Sequence, residues 1–261
     1  MDEFSLIEKG ADLLWQAEID HSSIQPLTQT FPQLDVLDAY SIQQLNIKRK
    51  LKSGQMIKGY KVGLSSKAMQ VMMGVDEPDY GHLLDDFFYN SGDTINTSKF
   101  FIPRIEVELG YVLKKSLPVP NCTVKDVIDS TEYIQPALEL IDSRIKDWQI
   151  KLVDTISDNA SSAAVIMGGE KTSPSNISPR LIGANLIKNN EIIATGAMGG
   201  VLNDPSIAIA WLANKMHQFG VTLDEGHIIL PGSCTKAFNV QSNDYVCAEY
   251  DGLGKIEIGF S

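Results

Sequence analysis

The chain has little of what marks an extracellular, membrane or nucleic-acid-binding protein. Its 261 residues include three cysteines, Cys122, Cys234 and Cys247. That odd, unpatterned set gives no disulfide framework and fits a reducing compartment. No apolar run approaches the ~18 residues needed to span a bilayer. The start, Met1-Asp-Glu-Phe4, is acidic where a secretory signal is basic. These absences predict a cytoplasmic protein with no membrane partner. Positive charge is also scarce: 22 Lys and Arg against 33 Asp and Glu give a formal net charge of −11, which repels a phosphate backbone and argues against nucleic acid. The densest basic run, Lys48-Arg-Lys-Leu-Lys52, precedes Gly54 and reads as the cation-rich end of a helix. No Gly-x-Gly-x-x-Gly follows a strand, and Gly169-Glu-Lys-Thr172 lacks the spacing of a phosphate-cradling loop. His21, His82, His217 and His227 show no metalloprotease spacing, and Ser233 in Gly232-Ser-Cys234 is not in a nucleophile elbow. Nucleotide, zinc-hydrolase and serine-hydrolase chemistry therefore find no support.

A hydrophobic content of 43% suffices for a substantial core. Apolar residues at helical spacing over 4–18 and 36–52 predict two amphipathic helices, joined by a loop holding Pro26 and Pro32. From residue 56 short strands dominate, expected at 57–63, 103–113, 135–141, 181–187, 191–198, 227–230, 245–250 and 255–260. Asn189-Asn190 and Asp251-Gly-Leu-Gly254 read as hairpin turns. Helices are expected at 66–73, at 123–134 after Thr123, and at 206–219 after Asp204-Pro205. Strands and helices do not alternate regularly. The pattern predicts a mixed α+β fold with a curved sheet or barrel-like roll: a helical segment, 1–55, packed on a catalytic β domain, 56–261.

Chemistry enters with Glu106 and Glu108, in the apolar run Ile105-Glu-Val-Glu-Leu109. Alternation along a strand puts both acids on one face, about 7 Å apart. A solvated polar face accounts for such a pair; so does a bound divalent cation, which offsets the cost of burying two carboxylates. Glu139, in Pro136-Ala-Leu-Glu-Leu-Ile-Asp142, is a third acid in an apolar setting. Three carboxylates suit Mg²⁺ or Mn²⁺ better than zinc. Lys61, between glycines in Gly59-Tyr-Lys-Val-Gly63, has an outward-facing strand position as its plain alternative. Asp79 lies in a turn-rich acidic stretch, 74–86, where most carboxylates are expected to be solvated.

Taken together, these runs resemble the 2-oxo-4-pentenoate hydratase and 4-oxalocrotonate decarboxylase group of the fumarylacetoacetate hydrolase superfamily. The resemblance is carried by 59–66, by Gly-Val-Asp-Glu-Pro-Asp-Tyr-Gly at 74–81 and by Pro-Arg-Ile-Glu-Val-Glu-Leu at 103–109. Further carriers are Pro-Ala-Leu-Glu-Leu-Ile-Asp-Ser-Arg at 136–144, Asp-Asn-Ala-Ser-Ser at 158–162 and Trp-Leu-Ala-Asn at 211–214. It implies the fold of that superfamily's C-terminal domain and a homo-oligomer. It also implies that Glu106, Glu108 and Glu139 hold Mg²⁺ or Mn²⁺, that Lys61 and Asp79 transfer protons, and that Ser161, Ser233 and Lys236 contact substrate. Asp158 and Asn159 are left between catalysis and turn capping. The implied reaction is hydration of 2-hydroxypenta-2,4-dienoate to 4-hydroxy-2-oxopentanoate in the catabolism of aromatic compounds. Two alternatives stay open: hydration of 2-oxohept-3-enedioate, with Arg104, Arg144 or Lys236 meeting the far carboxylate, and decarboxylation of 4-oxalocrotonate. A metal-binding scaffold that has lost activity is the non-enzymatic alternative, which the presence of Lys61 and Asp79 disfavours.

Overall fold

The computed structural model describes residues 3–261, so the first two residues of the predicted 1–55 segment lie outside the described residues. Helices α1 (Glu3–Asp20), α2 (Leu27–Thr30) and α3 (Val36–Lys52) come first. They are followed by β1 (Ile57–Gly63), α4 (Lys67–Met73), β2 (Asp79–Leu84), β3 (Phe88–Asn90), β4 (Thr94–Ile95) and β5 (Arg104–Leu113). The second half runs α5 (Val124–Ser130), β6 (Thr131–Ile141), α6 (Leu152–Ser157), β7 (Ser162–Met167), β8 (Gly183–Lys188), β9 (Glu191–Ala197) and α7 (Pro205–His217). It ends with β10 (Ile228–Leu230), β11 (Phe238–Asn239), β12 (Tyr245–Tyr250) and β13 (Gly254–Phe260).

Local chemistry explains the main boundaries. Asp35 caps α3 by accepting from Leu37 N and Asp38 N, while Asp38 returns a bond to the Asp35 amide, and Arg49, Lys50 and Lys52 occupy the last turn. Asp204 caps α7 ahead of Pro205. The expected turns at Asn189-Asn190 and Asp251–Gly254 join β8 to β9 and β12 to β13, both asparagines adopting positive φ.

Two expectations need correction. The predicted helix 123–134 stops at Ser130, where Thr131 Oγ1 donates to Val127 O at 2.7 Å, and the chain turns directly into β6. The stretch 74–86, expected to be turn-rich with most of its carboxylates solvated, contains β2, which is buried throughout and takes Asp79 with it. Strands β3, β4, β7 and β11, the single turn α2 and the short helix α6 were not anticipated. They are short, or in the case of β7 carry no polar alternation by which to recognise them.

Two mixed sheets form the core, one ordered β2-β1-β10-β5-β6-β7-β3 with β11 also on β5, the other β4-β13-β12-β8-β9. Ile105, Val107, Leu109 and Tyr111 of β5 join Val246, Ala248, Ile256 and Ile258 of the second sheet and Ala208, Ile209 and Leu212 of α7 in one apolar cluster. The acids of β5 therefore face the other way. Two strands separate β1 from β6, a gap of about 14 Å on a flat sheet. Lys61 of β1 nonetheless lies 3.4 Å from Glu139 of β6, so the long side chain and a pronounced curl of the sheet together close that distance. This is the curved roll expected from the sequence.

The N-terminal helices bury a smaller cluster of Leu6, Ala11, Leu14, Leu27, Leu34 and Ile42, which includes Ile145 from the β6–α6 connection. Gln43 reaches from α3 to Tyr80 O and Ile156 O at 3.0 and 2.9 Å. Truncating Ile42, which is fully buried, to alanine should cost about 3 kcal/mol of unfolding free energy. Urea denaturation followed by circular dichroism checks this, and a loss below about 1 kcal/mol would mean that the helices contribute little to global stability.

Candidate active site

Adjacent antiparallel strands place Glu106 directly opposite Glu139, with Glu108 two residues along β5 on the same face. One oxygen from each of the three carboxylates lies within 4.8 Å of the others. Glu108 and Glu139 are buried, and Glu106 opens toward a cavity of about 1010 Å³. This arrangement excludes the solvated-face reading of the acid pair.

Little within the chain compensates these charges. Glu108 Oε2 accepts from Gly232 N at 2.8 Å. Gly232 has φ near +119°, and a Cβ there would lie 1.7 Å from Ser65 Oγ, so glycine alone brings this amide to the acid. Neither oxygen of Glu139 accepts a hydrogen bond. Its nearest positive group is Lys61 Nζ, 3.4 Å from Oε1. Unpartnered, buried carboxylate oxygens gathered around one point fit a hard divalent cation, and all three donors are of the oxygen type Mg²⁺ and Mn²⁺ prefer.

The electrostatics agree with that fit. Burial raises the Glu106 carboxyl to about 7, against the pull of Lys61 and with the push of Glu139. Glu108 is driven well above the usual range by burial and then by Glu139 and Glu106. Burial also raises Glu139, with Lys61 opposing. For Lys61, burial disfavours the ammonium, but Glu139 and the other acids outweigh it and hold its pKa above the ordinary value.

Lys61 is buried on β1, and its Nζ also donates to Ala160 O at 3.2 Å. Asp79 opens β2 opposite Gly63. Its Oδ1 is buried without a hydrogen-bond partner and lies 2.1 Å from where a Cβ on Gly63 would sit, with Lys61 Nζ 3.5 Å from the same point. Burial raises the Asp79 carboxyl, and Lys61 pulls the other way. Lys61 and Asp79 thus share one small space beside the acid cluster, and Gly63 leaves room for both.

The remaining sequence-predicted residues are placed unequally. Ser161 and Ser233 line the same cavity, as does the exposed Lys236. Ser161 Oγ has only a long contact, 3.4 Å, to Thr155 Oγ1. Ser233 Oγ is committed to the backbone of β5, donating to Val107 O and accepting from Val107 N, both at 3.1 Å. Arg104 lines the cavity two residues before Glu106, its guanidinium stacked 4.2 Å over the Trp148 ring and its Nε donating to Asn239. Arg144 is a correction: it does not reach this cavity, because Asp158 takes it in a buried ion pair on the far side of the 158–161 segment.

Sequence reasoning missed the backbone contributions, namely the Gly232 amide and the Ala160 carbonyl. An Asp-Asn pair signals a turn, but nothing in the sequence marks Ala160 as left-handed, with φ of 49°.

The chain is 43% identical over 256 residues to 2-oxo-hept-4-ene-1,7-dioate hydratase of Escherichia coli, covering 96% of each chain. It is 38% identical to 2-keto-4-pentenoate hydratase of Paraburkholderia xenovorans, over 97% of this chain and 94% of that one. Among solved structures, 4-oxalocrotonate decarboxylase from Pseudomonas putida, complexed with magnesium and adipate, superposes with a TM-score of 0.96. It has 34% identity and covers 100% of this chain and 99% of that one. A fumarylacetoacetate hydrolase from Exiguobacterium antarcticum shares the fold, with a TM-score of 0.63 at 13% identity, over 78% of this chain and 75% of that one. No family model matches the chain.

A carboxyl raised to about 7 stays largely protonated at pH 6 and must lose its proton to ligate an ion. Mg²⁺ affinity should therefore rise between pH 6 and pH 8, by up to ~10-fold per pH unit below that pKa, with proton release on binding. Calorimetric titration in two buffers of different ionisation enthalpy measures both; a pH-independent affinity with no proton release would contradict the assignment.

Proposed function

The chain belongs to the 2-oxo-4-pentenoate hydratase and 4-oxalocrotonate decarboxylase family, and from that premise we propose that it is a metal-dependent hydratase converting 2-hydroxypenta-2,4-dienoate to 4-hydroxy-2-oxopentanoate. The observation that carries the reading is the set of three converging, only partly compensated carboxylates with Lys61 and Asp79 beside them in one cavity. A non-catalytic scaffold has no use for the last two. Glu106, Glu108 and Glu139 would hold Mg²⁺ or Mn²⁺. When bound, that ion supplies Lewis acidity to the substrate's carboxylate and 2-oxygen and positive charge that offsets the acids around Lys61.

The protein's own groups handle the protons. In the first step the 2-hydroxyl loses a proton and C-5 gains one, giving the α,β-unsaturated ketone; in the second, water adds its oxygen at C-4 while C-3 is protonated. Lys61 would donate and Asp79 accept in each step, the proton taken by Asp79 returning to Lys61 before the next, a reading supported by their shelter from solvent and by the space they share above Gly63. Ser161 presents a hydroxyl to the cavity that only weakly engages Thr155. Ser233 shapes the wall through its bonds to Val107, and Lys236 supplies a cation at the rim. Residues 56–261 carry this machinery, and the helices of 1–55 back it. We further infer a cytoplasmic homo-oligomer, from the cysteine usage and the family resemblance.

One observation favours a second reading, hydration of a longer diacid. Arg104 sits on the same strand face as Glu106, about 7 Å further out. It is held there by Trp148 and Asn239, with Lys236 lining the same cavity. A fixed guanidinium at that distance suits a far carboxylate.

Glu106→Gln or Lys61→Met should lower kcat by roughly 10²- to 10⁴-fold while leaving the circular dichroism spectrum unchanged. The assay follows loss of dienoate absorbance with Mg²⁺, and product analysis distinguishes hydroxy-oxo acid from CO₂. Full activity in either variant, or no hydration of the dienoate by a protein that releases CO₂ from 4-oxalocrotonate, would reject this function.

A further inference from the structure

We propose that Asp158 and Arg144 are positioning residues: their buried ion pair holds a left-handed turn, residues 159–161, whose Ala160 carbonyl fixes the Lys61 ammonium in the active-site cavity. The inference rests on Lys61 acting in proton transfer. Lysine carries its charge on a flexible four-carbon stem, so among several carboxylates something must choose its orientation. Here that group is the Ala160 carbonyl, 3.2 Å from Nζ.

The carbonyl has its aim only because the backbone is forced. Asn159, Ala160 and Ser161 are all left-handed, with φ of 55°, 49° and 57°. Asparagine tolerates this conformation, but alanine and serine adopt it only where the surroundings impose it. The surroundings do so at three points. The Asp158 carboxylate accepts from Ser143 Oγ at 3.1 Å, from Arg144 N at 2.9 Å and from Arg144 Nε, while Arg144 Nη2 donates to Asp158 O at 2.6 Å. The Asn159 side chain pairs with the backbone of His82 in both directions, at 2.8 and 2.9 Å. Ser161 O accepts from Asp142 N at 2.8 Å.

Packing alone would not suffice. Ala160 and Ser161 line the active-site cavity, whereas Arg144, Asp158 and Asn159 line a second cavity of about 380 Å³ between the N-terminal helices and the sheet. The turn is a thin wall with space on both sides. Released from Arg144, it can relax into the rear cavity and carry the Ala160 carbonyl away from Lys61.

A double-mutant cycle on kcat, with Mg²⁺ and a 2-hydroxydienoate, tests this. Asp158→Asn keeps the shape and removes the charge; it should lower kcat roughly 10- to 100-fold while KM and the Mg²⁺ dissociation constant change less than about 3-fold. In a Lys61→Ala background the same substitution should cost less than about 2-fold, because the group it positions is gone. Equal costs in both backgrounds, or parallel losses of kcat, KM and metal affinity, would overturn the proposal. Asn159→Ala, which leaves no buried charge unpaired, serves as the second variant if Asp158→Asn fails to fold, with the same pattern expected. Should Lys61→Ala leave no measurable turnover, a crystal structure of the slow variant decides: a displaced Ala160 carbonyl supports the proposal and an unmoved one refutes it. Undiminished activity of Lys61→Ala alone would instead remove the proposed role of Lys61.

Discussion

Buried carboxylates of like charge cannot share a few ångströms of protein interior without positive charge to meet them, and the rest of this site is organised around that requirement. Glu106, Glu108 and Glu139 converge, with Asp79 nearby, and the described residues answer with the Lys61 ammonium, the Gly232 amide and, more weakly, the Arg104 guanidinium. One lysine cannot balance four acids. Burial favours the protonated form of all four, and repulsion among the acids adds to it at Glu106, Glu108 and Glu139. A dication would replace those protons and leave the formal charge near neutral. The same acids that would hold such an ion also keep Lys61 charged, where burial alone disfavours the ammonium.

The fold meets this requirement by dividing the two faces of one sheet. Residues 105, 107, 109 and 111 of β5 enter the apolar core with α7 and the second sheet, which fixes the strand and frees its other face for charge. Curl then does what sequence proximity cannot, bringing β1 and β6 close enough for Lys61 to touch Glu139 across two intervening strands. Glycines supply the final clearances: Gly63 leaves space for Asp79, and Gly232 lets the corner after β10 present its amide to Glu108. In each case the missing side chain acts as a functional feature.

How much of this was legible beforehand depended on whether the information lay in local pattern. The amphipathic periodicity of α1 and α3, the caps at Thr123 and Asp204 and the hairpin asparagines are local, and the structure follows them. Glu106 and Glu108 stood out because an acid inside an apolar strand violates its own context. Asp79 was the reverse: surrounded by other acids and turn formers, it looked solvated, and only tertiary burial of β2 sets it apart from Asp76 and Asp85. Arg144 was misplaced for a related reason. Its charge was visible, but its partner 14 residues later was not, and that partner turns it away from the substrate cavity. The Ala160 carbonyl leaves no trace in the sequence, because a backbone oxygen belongs to every residue.

The cavity is chemically graded from floor to rim, and the gradient bears on how one scaffold serves several reactions. At the floor Glu108, Glu139, Lys61 and Asp79 are buried, with Glu106 half-buried at the opening, and all five stand on core strands, so any substrate that presents a carboxylate and an adjacent oxygen meets the same charges. Toward the rim the determinants are cations: Arg104, immobilised between Trp148 and Asn239, and Lys236, exposed and resting against Phe238. With a divalent cation held by the three glutamates, such a floor would stabilise negative charge on a 2-oxygen and would support hydration of a dienoate as readily as loss of CO₂ from a vinylogous acid, since both pass through the same kind of enolate. The choice must then be made by where the far end of the substrate is anchored relative to Lys61 and Asp79. A pinned guanidinium at the rim fixes that end rigidly, whereas an exposed lysine on a flexible stem holds it less firmly. Differences between relatives of this fold should therefore concentrate at 104, 148 and 236–239 and spare 61, 79, 106, 108 and 139.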